Sequence, residues 1–282
     1  MSERNVFFKA GIVFCAILAL LMLAVLFTLH QGTDYNLSFG KALEDDELRR
    51  PANIFQSITG YFFDNNFYAV HASIILLVLF SLIAIILIHY FFERTSAPEI
   101  LYIAIFAISL SFEILRFVLP LHLIHYFPSF YMRVASRILL FARFFGIFSL
   151  FAASICAAGL DVQKVRHVIF AIIITSLIIT LGVPIDVLNW DTSLNMINGF
   201  SSMFRLIEIS AFISIMISFF IAAKIRDSKE YTYVAIGIML ALFGRNILLS
   251  ADNWSAPFLG IILLSFGTWF LCSKLHKIHL WL

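Results

Sequence analysis

The chain has 282 residues, of which 62% are hydrophobic and 13% are charged, and its net charge is +2. A soluble domain carries roughly 25% charged residues, so this composition excludes a water-soluble globular protein and predicts an integral membrane protein. The small net charge excludes the basic surface that nucleic-acid binding requires, and no nucleic-acid partner is expected.

Eight apolar segments follow one another along the chain, and each is long enough to cross a hydrocarbon core about 30 Å thick as a helix. The predicted spans are residues 10–29, 69–91, 100–120, 136–158, 167–184, 203–223, 232–250 and 256–273. The fold class is therefore an all-α integral membrane protein, a polytopic bundle of about eight transmembrane helices. We divide it into a cytoplasmic end with an anchor helix (1–29), an outer loop (30–68), a seven-helix bundle (69–273) and a short cytoplasmic tail (274–282).

The lysines and arginines of the short loops predict the orientation, because cytoplasmic loops are enriched in these residues. With the N-terminus in the cytoplasm, six of the seven lysines lie inside, and Lys41 is the exception. Both termini are then cytoplasmic, and a bacterial-type inner (cytoplasmic) membrane is the expected location. The outer loop carries the acidic run 44–47, predicted to be solvated, and the aromatic stretch 61–68, predicted to lie at the membrane interface. Two further outer loops, 121–135 and 185–202, are predicted to form interfacial helices or lids.

Charged side chains occur inside four of the predicted spans, and all of them fall on the outer side of the bilayer midplane. They are Glu113, Arg116, Arg137, Arg143, Arg205, Glu208 and Arg245. Each charge facing lipid near the midplane would cost about 2.5–3.5 kcal/mol, so these side chains are expected to face one another or a water-filled cavity. The pairs Glu113/Arg116 and Arg205/Glu208 are each three residues apart and share a helix face.

Two interpretations of this charged layer stand side by side. In the first it is a structural polar core in which each glutamate neutralises an arginine, although five arginines face only two glutamates. In the second it is a pocket that opens outward and binds an anion, since a guanidinium holds a carboxylate or phosphate through two parallel hydrogen bonds. The predicted ligand-binding residues are Arg116, Arg143, Arg205, Arg245 and Asn246, and the predicted orienting carboxylates are Glu113 and Glu208.

No nucleophile motif, phosphate-binding loop or pair of catalytic carboxylates is found in the sequence, so neither an enzymatic reaction nor a cofactor is predicted. The three cysteines, Cys15, Cys156 and Cys272, all lie in apolar runs without metal-ligand spacing. We interpret them as small core residues, and neither a metal site nor a disulfide is predicted.

The arrangement of an anchor helix, an outer segment and seven closely spaced helices resembles the bacterial seven-transmembrane receptors with diverse intracellular signalling modules. The resemblance covers roughly 67–273, with the aromatic lead-in Asn66-Phe67-Tyr68 and the short aromatic-rich helix Tyr102–Phe112. It implies a receptor whose output, in a chain with no cytoplasmic module after Trp281-Leu282, passes through a protein signalling partner.

These observations together predict a sensor or receptor-like protein that takes an anionic or amphiphilic ligand from the outer side. One alternative is a transporter or flippase for an organic anion or lipid that uses the same arginine-lined cavity. Another is a non-catalytic membrane scaffold subunit. The expected partners are the lipid bilayer, an anionic small molecule or lipid, and a signalling protein.

Overall fold

A computed structural model of the chain describes residues 3–31, 62, 66–92, 97–126, 128–159 and 165–280. Within these residues, eight helical spans are long and apolar enough to cross a membrane. The predicted all-α, polytopic fold class is therefore confirmed, and the chain is a multi-pass membrane protein. Most of the outer loop, including its acidic run, lies outside the described residues, and the orientation in the membrane stays a prediction. We use "outer" for the predicted outer end.

The helices follow the predicted spans closely, with one span built from several pieces. The described α-helices are α1 (Glu3–Gln31), α2 (Phe67–Phe91), α3 (Pro98–Leu110), α4 (Val118–His125), α5 (Ser129–Ala157), α6 (Val165–Gly182), α7 (Ser201–Ile225), α8 (Glu230–Leu249) and α9 (Ser255–Leu280). A 3₁₀ helix, Ser111–Phe117, joins α3 to α4, and these three pieces together form the third span.

The 3₁₀ segment interrupts the third span at its middle. Around its start, the hydroxyls of Ser109 and Ser111 donate hydrogen bonds of 2.7 Å to the carbonyls of Phe106 and Ile108. Serines that bond back to the preceding turn weaken the regular backbone ladder and favour a local change of helix geometry. In a 3₁₀ helix, side chains three residues apart are eclipsed, so Glu113 and the arginine that follows it by three residues project in the same direction.

The third span and α5 form the centre of the bundle. In the most apolar stretch of each span, 78% of the residues are buried in the third span and 61% in α5, but only 17% in α6. The two central helices come close at Gly146, where an added Cβ would lie 2.3 Å from the Ser109 hydroxyl. This close approach brings α5 against the start of the 3₁₀ segment, where the charged side chains lie.

Helices α8 and α9 pack backbone to backbone through glycines. A Cβ added at Gly244 would lie 2.4 Å from the Leu264 nitrogen and 2.7 Å from the Gly260 carbonyl oxygen. About two turns away, Gly237 on α8 and Gly267 on α9 make similar contacts: a Cβ added at Gly267 would lie 2.5 Å from the Ala241 nitrogen, and one added at Gly237 would lie 3.0 Å from the Leu271 nitrogen. Small residues of this kind let transmembrane helices approach closely and gain dispersion contacts that lipid cannot replace.

The two predicted outer loops, 121–135 and 185–202, differ in structure from each other. Residues 121–135, predicted to form an interfacial helix or a lid, are almost all helical, because α4 continues to His125 and α5 begins at Ser129. The predicted tail from residue 274 is likewise helical as far as Leu280.

The segment between α6 and α7 is a β-hairpin rather than a helix. Strand β1 (Ile185–Trp190) pairs antiparallel with β2 (Met196–Asn198). The turn is closed by hydrogen bonds from the Asp191 amide to the Asn195 carbonyl, 2.8 Å, and from the Leu194 amide to the Asp191 carbonyl, 3.0 Å. Leu194 is buried in an apolar cluster with residues of the third span and α5, so the hairpin tip inserts into the outer mouth of the bundle.

Candidate functional site

The centre of the site is an ion pair between the third span and α5. Arg143 donates from Nε to Glu113 Oε1 and from Nη2 to Glu113 Oε2, both at 2.7 Å. The Glu113 side chain is only 2% exposed and that of Arg143 only 17%. Two parallel short bonds of this kind are the strongest and most directional pairing that a guanidinium and a carboxylate form.

Arg116 lies beside this pair, and only its Nη2 has hydrogen-bond acceptors among the described residues, while Nε and Nη1 are buried without one. Its Nη1 lies 3.8 Å from Glu113 Oε2, and its side chain is fully buried. Nη2 donates to the Ser193 carbonyl at the hairpin tip and, at 3.4 Å, to the Leu249 carbonyl. Leu249 is the last residue of α8, and the carbonyls at a helix C-terminus carry partial negative charge.

The hairpin covers this cluster from the outer side. The Asn195 side-chain oxygen accepts from Arg143 Nη2 at 2.8 Å. Asp252, in the connection between α8 and α9, accepts from the hydroxyls of Ser193 and Thr192 at 2.6 and 2.9 Å. We call Glu113, Arg116 and Arg143 the enclosed cluster, because they lie against one another and both arginines donate to the hairpin.

A separate cleft lies between α7 and α8. Its volume is about 330 Å³, and it is lined by Ile147, Arg205, Glu208, Ile209, Phe212, Leu242, Phe243, Arg245 and Asn246. The lining residues of α7 recur at three- and four-residue intervals, which places them on one helix face. The lining includes arginine, glutamate and asparagine side chains beside isoleucine, leucine and phenylalanine, so the cleft combines polar and apolar walls.

Arg245 is the buried charge of this cleft. It is 2% exposed, and in the described part of the chain no carboxylate lies within 4.0 Å of its guanidinium. Its bonds are long: Nη1 donates to Asn246 Oδ1 at 3.2 Å, and Nη2 donates to the Arg143 carbonyl at 3.4 Å. A buried guanidinium has five N–H donors, so this one has capacity for a further acceptor.

Arg205 and Glu208 line the other wall of the cleft. Arg205 is exposed and Glu208 is partly exposed, and no ion pair joins them to another side chain among the residues described. Their lining positions, together with Arg245, give the cleft two positive charges and one negative charge. The cleft therefore carries an excess of one positive charge.

The structure thus divides the predicted site residues into two groups. Glu113, Arg116 and Arg143 come together in the enclosed cluster, and the four remaining site residues, Arg205, Glu208, Arg245 and Asn246, come together in the cleft. The two groups touch where Arg245 donates to the Arg143 carbonyl. Arg137, the charge nearest the interface, joins neither group and donates at 3.4 Å to the Leu181 carbonyl near the end of α6.

Sequence reasoning missed the polar contributions of the hairpin. Ser193 and Asn195 complete the enclosed cluster, and Asp252 anchors the hairpin tip. The run Asp-Thr-Ser-Leu-Asn at 191–195, after a strand-like stretch, is a turn signal that favours a hairpin. The hairpin could therefore have been predicted from the sequence. Its contacts with Arg116 and Arg143 could not, because they join segments far apart along the chain.

The chain matches no known protein-family model, and its comparison with curated proteins finds no similar sequence.

Proposed function

We propose that this multi-pass membrane protein is receptor-like and binds an anionic ligand in the cleft between α7 and α8. The observation that carries the proposal is the buried guanidinium of Arg245, which lines the cleft with only two long hydrogen bonds. A carboxylate or phosphate oxygen would give this group the short charge-assisted bonds that it lacks.

The charge of the cleft supports an anion over a cation or a neutral ligand. Two guanidinium groups and one carboxylate line it, and its remaining walls are mainly apolar. Coulomb interactions are stronger in such a low-dielectric setting than in water, so one negative charge would be favoured. Glu208 would orient the arginines, and Asn246 would add an amide donor.

A contact between the two groups of residues supports a receptor role. Arg245 donates to the carbonyl of Arg143, whose guanidinium holds both Glu113 on the 3₁₀ segment and Asn195 on the hairpin. An anion that draws Arg245 toward the cleft would weaken its bond to α5. We infer that ligand binding biases the position of the hairpin and the third span, and that a partner protein responds to this change, as the resemblance to seven-transmembrane receptors implies.

Transport by the same cleft is the second candidate function, and the 3₁₀ segment in the middle of the third span favours it. Discontinuous helices near the bilayer midplane are typical of secondary transporters, and mid-helix 3₁₀ segments often mark hinges. We prefer the receptor because the enclosed cluster and the hairpin tip fill the space around the 3₁₀ segment, where a transported ligand would need a path.

Anion binding is tested with the protein in phosphatidylcholine nanodiscs, using benzoate as the probe and benzamide as its uncharged counterpart. We expect saturable binding of benzoate and none of benzamide. Replacement of Arg205 by glutamine should weaken benzoate binding about tenfold, because a charge-assisted hydrogen bond is lost. The matched control is Arg133→Gln, which removes an exposed outer arginine that does not line the cleft. Equal affinity in both variants would refute the proposal.

Two further measurements separate the receptor from the transporter. Hydrogen exchange of the hairpin amides at 185–198 should change on benzoate binding if the receptor assignment is right. Liposomes that contain this chain alone should then show no benzoate flux above that of protein-free vesicles. Flux that is lost in Arg205→Gln, without a change in hairpin exchange, would instead establish transport.

A further inference from the structure

The cleft between α7 and α8 changes from polar to apolar with depth. Arg205 and Asn246 each lie within about 6 Å of the outer helix ends, from four residues or fewer at 1.5 Å per residue. Phe212 is about 16 Å from the start of α7, and its ring lies 5.7 Å from that of Phe243 on α8. This ring pair joins the two helices across the lower part of the cleft.

The cleft also faces the lipid. Its apolar rim residues Ile209 and Phe243 are 49% and 47% exposed, one on each helix. Both belong to helices that cross the membrane, and half-exposed apolar side chains at this depth contact acyl chains rather than water. A ligand can therefore enter sideways from the outer half of the bilayer.

Resting on the anion binding proposed above, we propose that the ligand is an anionic amphiphile with a single acyl chain, which enters from the outer leaflet. Its headgroup, a carboxylate or a phosphate monoester, would accept hydrogen bonds from Arg245, Arg205 and Asn246. Its chain would point toward the midplane, past Ile209 to Phe212. This is the orientation that such a molecule already has in the outer leaflet, so binding requires no reversal.

The size and charge of the cleft restrict the ligand further. A volume of about 330 Å³ lies at the lower end of the 300–1,000 Å³ that ligand pockets occupy, which leaves room for part of one chain and not for two. Glu208 lines the same cleft and repels a second negative charge. The excess of one positive charge therefore favours a carboxylate, with one negative charge, over a phosphate monoester, which carries about −1.5 to −2 at neutral pH.

Photoaffinity labelling tests this geometry in phosphatidylcholine nanodiscs with palmitate analogues that carry a diazirine. A diazirine next to the carboxylate should label residues around Arg205 and Asn246, and one near the chain end should label residues around Phe212. The variant Ile209→Trp, which fills the lower cleft, should abolish saturable labelling. The control Ile213→Trp places the same side chain at a position on α7 that is 51% exposed and does not line the cleft, and it should leave labelling unchanged.

Competition identifies the headgroup and its source. Palmitate or lysophosphatidic acid should displace the label, and displacement by one alone identifies a free fatty acid or a lipid phosphate, respectively. Hexadecanol should compete about tenfold more weakly or worse, because it lacks the charge-assisted bonds. Equal competition by hexadecanol, or by the two-chain phosphatidylglycerol, would overturn the proposal.

Failure of this inference is distinguishable from failure of anion binding. If benzoate still requires Arg205 while labelling is not saturable or survives Ile209→Trp, the amphiphile is wrong and the anion site stands. If benzoate does not bind either, the proposed function itself is refuted.

Discussion

Replacement of Glu113 by glutamine tests whether the enclosed cluster is held together by its carboxylate. The substitution keeps the size of the side chain and one carbonyl oxygen, and it removes the charge. Arg143 then loses the acceptor of two 2.7 Å bonds, and Arg116 loses the carboxylate 3.8 Å away. Two buried guanidinium groups would remain with no carboxylate within 4.0 Å among the described residues.

The expected loss in the free energy of unfolding is about 3 kcal/mol, at the lower end of the 3–5 kcal/mol observed when one partner of a buried ion pair is removed. The lower end applies because glutamine still accepts one hydrogen bond, and because Asn195 and two backbone carbonyls continue to accept from the arginines. Removal of the stranded charge as well, in Glu113→Gln/Arg143→Met, should make the double variant more stable than the sum of the single effects by about 1–3 kcal/mol.

The measurement is reversible unfolding in mixed detergent micelles, followed by far-ultraviolet circular dichroism during titration with a denaturing detergent. Glu208→Gln is the matched control, because that glutamate is partly exposed and has no ion pair in the described part of the chain. Its loss should stay below about 0.5 kcal/mol. If Glu113→Gln destabilises the protein no more than Glu208→Gln does, the cluster is not an electrostatic unit and the reasoning fails.

Three other substitutions probe the packing, the hairpin and the predicted cytoplasmic end. Gly244→Ala should destabilise the protein by about 1–3 kcal/mol, because the new methyl group meets the backbone of α9, whereas Gly182→Ala, with open space around it, should be near neutral, as measured by the same unfolding assay. Asn195→Ala removes an acceptor 2.8 Å from Arg143 Nη2, and it should speed hydrogen exchange of the hairpin amides. Glu230→Gln breaks two ion pairs with lysines of α9 that are 24% and 54% exposed, and it should cost only about 0.2–1 kcal/mol in unfolding experiments, less at high salt.

Each of these has a contradicting outcome. Equal stability of the two alanine variants would show that α8 and α9 are not in backbone contact. Unchanged exchange at 185–198 in Asn195→Ala would show that the contact with α5 does not hold the hairpin. A salt-independent effect of Glu230→Gln would mean that packing rather than charge accounts for it.

The spans were predictable from the sequence because their cause is local. A helix crosses the bilayer when about 20 consecutive residues are apolar, and all eight segments that meet this condition are helical spans in the structure. The layer of charges was also predicted from the sequence. Neighbouring spans run in opposite directions, and in each of the four spans the charges lie off centre toward the same predicted side. For segment 121–135 the sequence left open whether a helix or a lid forms, and in the structure α4 continues to His125 and α5 begins at Ser129.

The division of the charged residues into two groups was beyond the sequence. The deep arginines outnumber the glutamates, and their count indicated at least one without a carboxylate. In the structure, Arg116 Nη2 donates to the carbonyls of Ser193 and Leu249, which lie 77 and 133 residues away along the chain, whereas Nε and Nη1 have no hydrogen-bond acceptor among the described residues. A pattern of side chains cannot predict which backbone carbonyl will accept such a hydrogen bond, because every residue has one.

The sequence was sufficient to predict a membrane protein, the positions of its spans, and the spans that carry charges which cannot face lipid. Three features required the tertiary structure: the pairing of Arg143 with Glu113, the position of Arg245 in the lining of a cleft, and the hairpin that closes the outer end of the bundle. The physical reason is that transfer into lipid depends on the composition of each segment, whereas the pairing of buried charges depends on the distances between segments that folding alone sets.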